Sequence, residues 1–313
     1  MRKKWHAVVF LTTECQLRCR HCLVWKNRER LSLRDLERIR DWGPRKVNLM
    51  GGEPLLYPFF ERALEIFSDI PVTVQTNGLL AKENLEALKR VRQVIVSIEG
   101  GREFTDYVRG KGVFDKVMEA VKFLRENNVN VILRSSLWRE MLQDVPALMS
   151  LSEELDVPLY FFPMVGKAPL SVEEQVWLFN TLQRSDRVWL DLPQYFNFLG
   201  RNSYCSAGES RLAFWSNRLV TPCQFLEYFL GTLDSEWEVI EENADTFART
   251  KHPPSSCLGC DRAHICRGGC LLTPFYTGCP MRPTIRPFVE QGFDGRRTKS
   301  ENLRVLLSGV VTC

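Results

Sequence analysis

The chain has 313 residues, 44% hydrophobic and 26% charged, with a formal net charge of +4, the profile of a globular protein that can bury one substantial core and carry a smaller appendage. No stretch approaches the twenty or so apolar residues of a membrane helix, and the basic start Met1-Arg2-Lys3-Lys4-Trp5-His6 leads into an apolar run that is short and has no small-residue cleavage site, so neither a membrane partner nor secretion is expected. Lys and Arg interleave with Asp and Glu along most of the chain; solvated faces are the expectation, nucleic acid is disfavoured as a partner, and the compartment is expected to be the cytoplasm.

The first predicted element is the apolar strand 7–11. Ser32 is the expected N-cap of a charged helix, 33–41. Strand 46–50 follows, then a helix whose Phe60, Leu64 and Phe67 recur at helical spacing. Strand 71–75 ends in the turn Thr76-Asn77-Gly78; helix 82–91 leads to strand 93–98, helix 113–126 to strand 129–133, and helix 145–155 to strand 157–162. With 171–184 as a sixth helix there are six strand–helix alternations, which imply a parallel sheet with right-handed crossovers. The expected fold class is therefore α/β, a partial (β/α)6 barrel, with chemistry at the C-terminal ends of the strands. After residue 200 the chain is cysteine-, Gly- and Pro-rich, with a hairpin from 212–215 and 218–222 around Ser216-Asn217. This part looks too irregular to fold on a core of its own and is expected to depend on metal. The expected division is 1–170 for the barrel, 171–200 as a bridge, 201–290 as a small cysteine-rich domain and 291–313 as a tail.

Of the eleven cysteines, three lie at 15–22, seven between 205 and 279, and one at 313. In a reducing compartment such clustering favours metal ligation over disulfides. Cys15-x3-Cys19-x2-Cys22 places three thiolates within eight residues. They can hold three irons of a [4Fe–4S] cube and leave the fourth open to a substrate; with His21 as a fourth ligand they can equally form a zinc knuckle. Gly51-Gly52-Glu53-Pro54 follows the second strand. Two glycines let backbone carbonyls approach a ligand, and the same four residues also suit a tight turn.

Together the two motifs resemble the radical S-adenosylmethionine (SAM) superfamily, whose CxxxCxxC follows the first strand and whose GGEP follows the second. The resemblance implies that Cys15, Cys19 and Cys22 hold a SAM-binding [4Fe–4S] cluster, and that Gly51, Gly52 and Glu53 receive the methionyl amine. It further implies that Ser97 binds the ribose hydroxyls, that Arg109 pairs with the methionyl carboxylate through its guanidinium fork, that His21 stands where the family has an aromatic near adenine, and that Val165 lines the adenine. Cys257-x2-Cys260-x5-Cys266-x3-Cys270, with Cys279 after it and Cys205 and Cys223 before it, resembles the seven-cysteine SPASM extension, which carries two auxiliary [4Fe–4S] clusters; Arg218 stands where that pattern expects a glycine. By this resemblance Cys257, Cys260, Cys266 and Cys279 fill one cluster. Cys205, Cys223 and Cys270 hold the other, with one iron left to substrate, a non-cysteine ligand or Cys313. Two zinc sites are the other reading of this region.

The resemblance implies an oxidoreductase and maturase. With an electron from ferredoxin or flavodoxin, SAM is cleaved to methionine and a 5′-deoxyadenosyl radical, which abstracts hydrogen from a peptide or protein side chain. The auxiliary clusters then complete an oxidation or a C–C or C–S crosslink, in an anaerobic or microaerobic host. The chain begins almost at its first strand, so a separate leader-binding protein is expected for a ribosomal peptide substrate. A small-molecule cofactor precursor is the alternative. Anaerobic sulfatase maturation is disfavoured, because that activity places an aspartate base where this chain has Gln224, and an amide cannot take a proton at neutral pH.

Overall fold

The computed structural model describes residues 5–22, 24, 28–164, 170–253 and 257–271; Val165, Cys279, Cys313 and the tail at 291–313 lie outside the described residues. In chain order the elements are β1 (His6–Thr12), α1 (Leu33–Asp41), β2 (Lys46–Gly51), α2 (Phe60–Ile66), β3 (Val72–Thr76), α3 (Leu85–Lys89), β4 (Gln93–Ser97), α4 (Arg102–Arg109), α5 (Val113–Glu126) and β5 (Val131–Leu137). They continue as α6 (Val145–Glu154), β6 (Leu159–Pro163), α7 (Val172–Leu182), β7 (Val188–Leu190), α8 (Pro193–Phe198), β8 (Arg211–Phe214), β9 (Leu219–Thr221), β10 (Gly231–Thr232), α9 (Trp237–Thr250) and α10 (Ala263–Cys266). The chain forms two compact units, Met1–Leu133 with Ala207–Arg249, and Arg134–Ser206 with Thr250–Cys313.

In the first unit the strands lie in the order β10-β9-β8-β1-β2-β3-β4. β1 to β4 are parallel, as the strand–helix alternation predicts, with His6 opposite Lys46, Val47 opposite Val72 and Thr73 opposite Gln93. Ala7, Val8, Val9, Phe10 and Leu11 are all buried, the continuous apolar run of a strand covered on both faces. The β1–β2 register breaks between Phe10 and Thr12, where Thr12 meets Gly51, so the irregularity falls at the strand ends that carry both motifs. Helix α1 begins as expected. The Ser32 side chain accepts from Asp35 N at 3.2 Å, and the Asp35 carboxylate accepts from Ser32 N at 2.8 Å, a reciprocal cap that satisfies two of the helix's orphan donors. Its Leu36 and Ile39 face the core, and Gly43, with φ +78°, turns the chain away.

Four elements here differ from expectation. The hairpin β8–β9 joins the sheet beside β1, with β8 parallel to β1 (His6 opposite Arg211) and antiparallel to β9. Beyond it lies a regular element that the sequence does not predict: α9 buries Trp237, Ile240, Ala244 and Phe247 along one stripe. Trp237 stacks on Trp5 at 5.0 Å and tilts against Trp42 at 5.4 Å, and Trp5 also meets Phe214 at 5.6 Å. This aromatic cluster is the core that the cysteine-rich composition hides. Helix α4, too, has no counterpart among the predicted elements, and α3 is shorter than the predicted 82–91.

In the second unit β6 and β7 pair in parallel, Leu159 opposite Val188. Ser171 and Glu174 cap α7 reciprocally, at 2.6 and 3.2 Å. Trp189 is fully buried and stacks on Tyr160, and Tyr195 on α8 packs edge-on to Phe179 of α7. The segment expected as a bridge thus supplies a strand and two helices to this core. No helix among the described residues is long and apolar enough to cross a membrane.

Candidate active site

The chain leaves β1 at Thr13 and comes back to it, so the cysteine loop is held at its neck. Thr13 N donates to Glu29 O at 2.9 Å, Glu29 N to Thr13 Oγ1 at 3.0 Å, and Leu31 N to Leu11 O at 3.0 Å. Against this neck lies Gly51-Gly52-Glu53. Gly52 N donates to Thr12 O and Glu53 N to Glu14 O, both at 2.7 Å. A Cβ on Gly51, where φ is +149°, would fall 2.3 Å from Thr12 O, and one on Gly52 would fall 2.3 Å from Glu14 O. The close approach that these glycines permit is therefore to the backbone of the cysteine loop itself. Glycine is required here to dock one motif on the other.

Glu53 is fully buried and ties that junction to β3. Its Oε1 accepts from Leu55 N at 3.1 Å and from Thr76 Oγ1 at 2.7 Å, and its Oε2 accepts from Asn77 N at 2.8 Å. Burial pushes its carboxyl up to about 7, against the pull of those donors.

Cys15 and Cys22 are half-buried and Cys19 is buried. Leu17 N donates to Cys15 Sγ and Val24 N to Cys22 Sγ, each at 3.4 Å. Burial pushes the Cys15 thiol up to about 11. It also raises Cys19, although the neighbouring Arg109 guanidinium pulls that thiol down. Backbone donors on two sulfurs and a buried cation beside the third suit three thiolates, and a bound metal deprotonates its thiols outright. The donor set therefore fits three corners of a cube. Among the described residues no three His, Cys, Asp or Glu side chains converge where a single metal ion could sit, and a cube does not require it, since each sulfur takes its own iron.

The second half of the loop is fastened to α4. Arg20 N donates to Val108 O and Arg20 Nε to Tyr107 O, both at 2.8 Å, with the guanidinium over the Tyr107 ring at 4.2 Å. Arg109 and Glu99 form a buried ion pair with side chains 9% and 0% exposed, and His21 Nε2 lies 3.3 Å from the same Glu99 oxygen. Burial would lower the Arg109 guanidinium, but Glu99 and the Cys19 sulfur outweigh it and hold the charge. Ser97 is buried at the end of β4. The structure thus brings Cys15, Cys19, Cys22, His21, Gly51, Gly52, Glu53, Ser97 and Arg109 to the C-terminal ends of β1, β2 and β4 and the adjoining α4, and it engages Arg109 and His21 with a carboxylate of this chain. Glu99 and Asn77 stand in segments expected at the strand ends and Gln16 within the cysteine motif, but the sequence assigns none of the three a role. A charged residue closing the apolar run Val94-Ile95-Val96-Ser97-Ile98 is the signal that marks Glu99.

The later cysteines are placed by several elements. In the second unit Cys205 and Cys270 are buried and Cys257, Cys260 and Cys266 half-buried. Cys260 N donates to Cys257 O, Cys266 N to Arg262 O and Cys270 N to Gln194 Oε1. Arg262 bonds Asn197 Oδ1 at 3.1 Å, and Lys251 Nζ donates to Cys205 O at 3.0 Å. In the first unit Cys223 follows β9, buried, with its thiol 3.5 Å from Gln224 Oε1.

Residues 9–151 match the radical SAM superfamily. The chain is 27% identical over 195 residues to Fe-coproporphyrin III synthase of Methanosarcina barkeri, a match over 57% of this chain that spans 49% of that protein. It is 25% identical over 309 residues to the mycofactocin maturase MftC of Mycobacterium tuberculosis, covering 87% of this chain and 79% of that one. Among solved structures, anSMEcpe with bound AdoMet superposes with TM-score 0.74 at 18% identity, covering 98% and 96% of the two chains. Streptococcus suis SuiB bound to precursor peptide SuiA superposes with TM-score 0.70 at 18% identity, covering 87% and 72%.

Proposed function

With residues 9–151 as its radical SAM domain this chain is a radical SAM enzyme, and from that premise we propose that it is a SPASM-type maturase that abstracts hydrogen from a peptide or protein side chain and completes an oxidation or crosslink. The observation that carries the reading is the three-thiol loop closed at its neck onto Gly51-Gly52-Glu53 within that domain. The peptide substrate rests on relatives: a mycofactocin maturase similar over 87% of this chain and, more narrowly, AlbA of Bacillus subtilis, named for subtilosin biosynthesis.

When bound, the first cluster and SAM supply the hydrogen-abstracting chemistry. Cys15, Cys19 and Cys22 would hold that cluster. Glu53 fixes the Gly51-Gly52 backbone beside it through three hydrogen bonds. Arg109, charged and buried next to Cys19, would take the SAM carboxylate by exchanging or sharing its partner Glu99, with Ser97 and Val165 at the nucleoside. Cys205, Cys223, Cys257, Cys260, Cys266, Cys270 and Cys279 would hold two auxiliary clusters. A ferredoxin or flavodoxin would donate the electron, a separate protein would present a leader peptide, and the compartment would be the cytoplasm. Gln224, whose amide accepts from the Cys223 thiol, disfavours a sulfatase-maturase type of oxidation.

A second reading has the similarity to Fe-coproporphyrin III synthase in its favour: a small cofactor precursor as substrate. Anaerobic reconstitution separates the alternatives beneath both readings. About twelve irons with matching sulfide are expected for three cubes; about four would refute the auxiliary clusters, and zinc without sulfide would refute the whole assignment. Incubation with peptides encoded beside the gene, read by mass spectrometry for loss of two hydrogens, then decides between peptide and small molecule.

A further inference from the structure

The turn Thr76-Asn77-Gly78 ends β3 beside the cysteine loop, and the function above makes no use of the asparagine side chain. Asn77 is 6% exposed and its orientation is fixed. Its backbone N donates to Glu53 Oε2 at 2.8 Å. Leu79 N donates to its Oδ1 at 3.0 Å, and because a backbone N–H can only donate, this bond decides which end of the carboxamide is oxygen. The Nδ2 end is therefore directed to Cys15 Sγ, 3.7 Å away, and to Gln16 Oε1 at 3.3 Å. Gln16 Nε2 returns a bond to Asn77 Oδ1 at 3.3 Å, so the two carboxamides lock head to tail.

We propose that Asn77 is a positioning residue for the first cluster: its carboxamide N–H donates to the Cys15 sulfur and raises the reduction potential of the cluster that Cys15 holds. The proposal rests on the assignment of Cys15, Cys19 and Cys22 as cluster ligands. The physical reason is charge. Reduction adds an electron to the cluster, the thiolate sulfurs share it, and a donor aimed at one of them stabilises the more negative state. A hydrogen bond to a charged sulfur is stronger than a neutral one, and about a tenfold effect on the reduction equilibrium is expected. For one electron that is about 59 mV.

The test is an EPR-monitored redox titration of the reconstituted full chain as wild type, Asn77→Ala and Asn77→Asp. The aspartate keeps the size of the side chain and an oxygen for Leu79 N, and replaces only the donor. The signal that changes on adding SAM reports the cluster at Cys15. Expected midpoints are lower in Asn77→Ala by about 59 mV and lower still in Asn77→Asp, where a charge faces the sulfur. Equal midpoints in all three would overturn the proposal. So would loss of the SAM-responsive signal from both variants with the remaining iron retained, since Asn77 would then hold the loop and not its potential. A wild type with iron and sulfide but no SAM-responsive signal would refute the ligand assignment beneath it, an outcome distinct from equal midpoints.

Discussion

Gly52→Ala adds one carbon at the point where the two motifs meet. The new Cβ would lie 2.3 Å from Glu14 O and 2.7 Å from both Glu14 C and Thr13 O. All three are backbone atoms and cannot swing aside, so the neck of the loop and the end of β2 must part by about 1 Å to regain ordinary contact. That movement breaks or stretches Gly52 N to Thr12 O and Glu53 N to Glu14 O, at about 0.5–1.5 kcal/mol each. Overpacking adds about 1–3 kcal/mol, for a total of roughly 2–6 kcal/mol, which in a chain of this size lowers Tm by on the order of 10 °C. Circular dichroism melts of anaerobically prepared protein measure it, with iron content as a second reading. Gly200→Ala is the comparison: Gly200 has φ +73° but no atom within 4 Å of its added Cβ, so only backbone strain of about 1–2 kcal/mol is expected. If Gly52→Ala melts no lower than Gly200→Ala and binds iron as well as wild type, the docking of the two motifs is not what holds the site.

Glu99→Ala should cost about 3–5 kcal/mol in urea unfolding, because it leaves the Arg109 guanidinium buried without its counter-ion; a loss under about 1 kcal/mol would contradict the buried pair. For Glu53 the pH dependence has a definite sign. Its folded carboxyl is raised to about 7 from an ordinary 4.5, so the native state holds the proton more tightly than the unfolded chain. This contribution, about 3 kcal/mol, is complete below about pH 4.5 and is lost as pH rises through about 7. The stability of wild type relative to Glu53→Gln should therefore fall across that window; a constant or rising difference would count against it. Ser32→Ala removes one half of the α1 cap and should cost about 0.5–2 kcal/mol; no change in unfolding midpoint would show the cap to be idle.

Much of the fold is legible where a single local rule decides. The predicted helices 33–41 and 113–126 coincide with α1 and α5, because a Ser cap and an amphipathic stripe are both contained in the segment. Helix α4 is missed because only Thr105 and Val108 of it are buried, too few for a visible stripe. Helix α9 carries its signal plainly in Trp237, Ile240, Ala244 and Phe247, and the surrounding cysteines draw attention from it. That the hairpin joins β1 is not a local property; it follows from long-range pairing that no spacing encodes. The site divides in the same way. The thiols and glycines stand in fixed motifs, whereas Glu99 meeting Arg109 of α4 and His21 of the cysteine loop, or Asn77 meeting Cys15 across 62 positions, depends on how loops and a helix gather at the strand ends.

The most direct test of the central claim is the fate of SAM. Reconstituted wild type, given SAM and dithionite under anaerobic conditions, should form 5′-deoxyadenosine and methionine in equal amounts, and Cys19→Ala, which removes the buried thiol proposed to hold one iron, should form neither. Product from both proteins alike, or from neither although wild type holds iron and sulfide, would contradict the account.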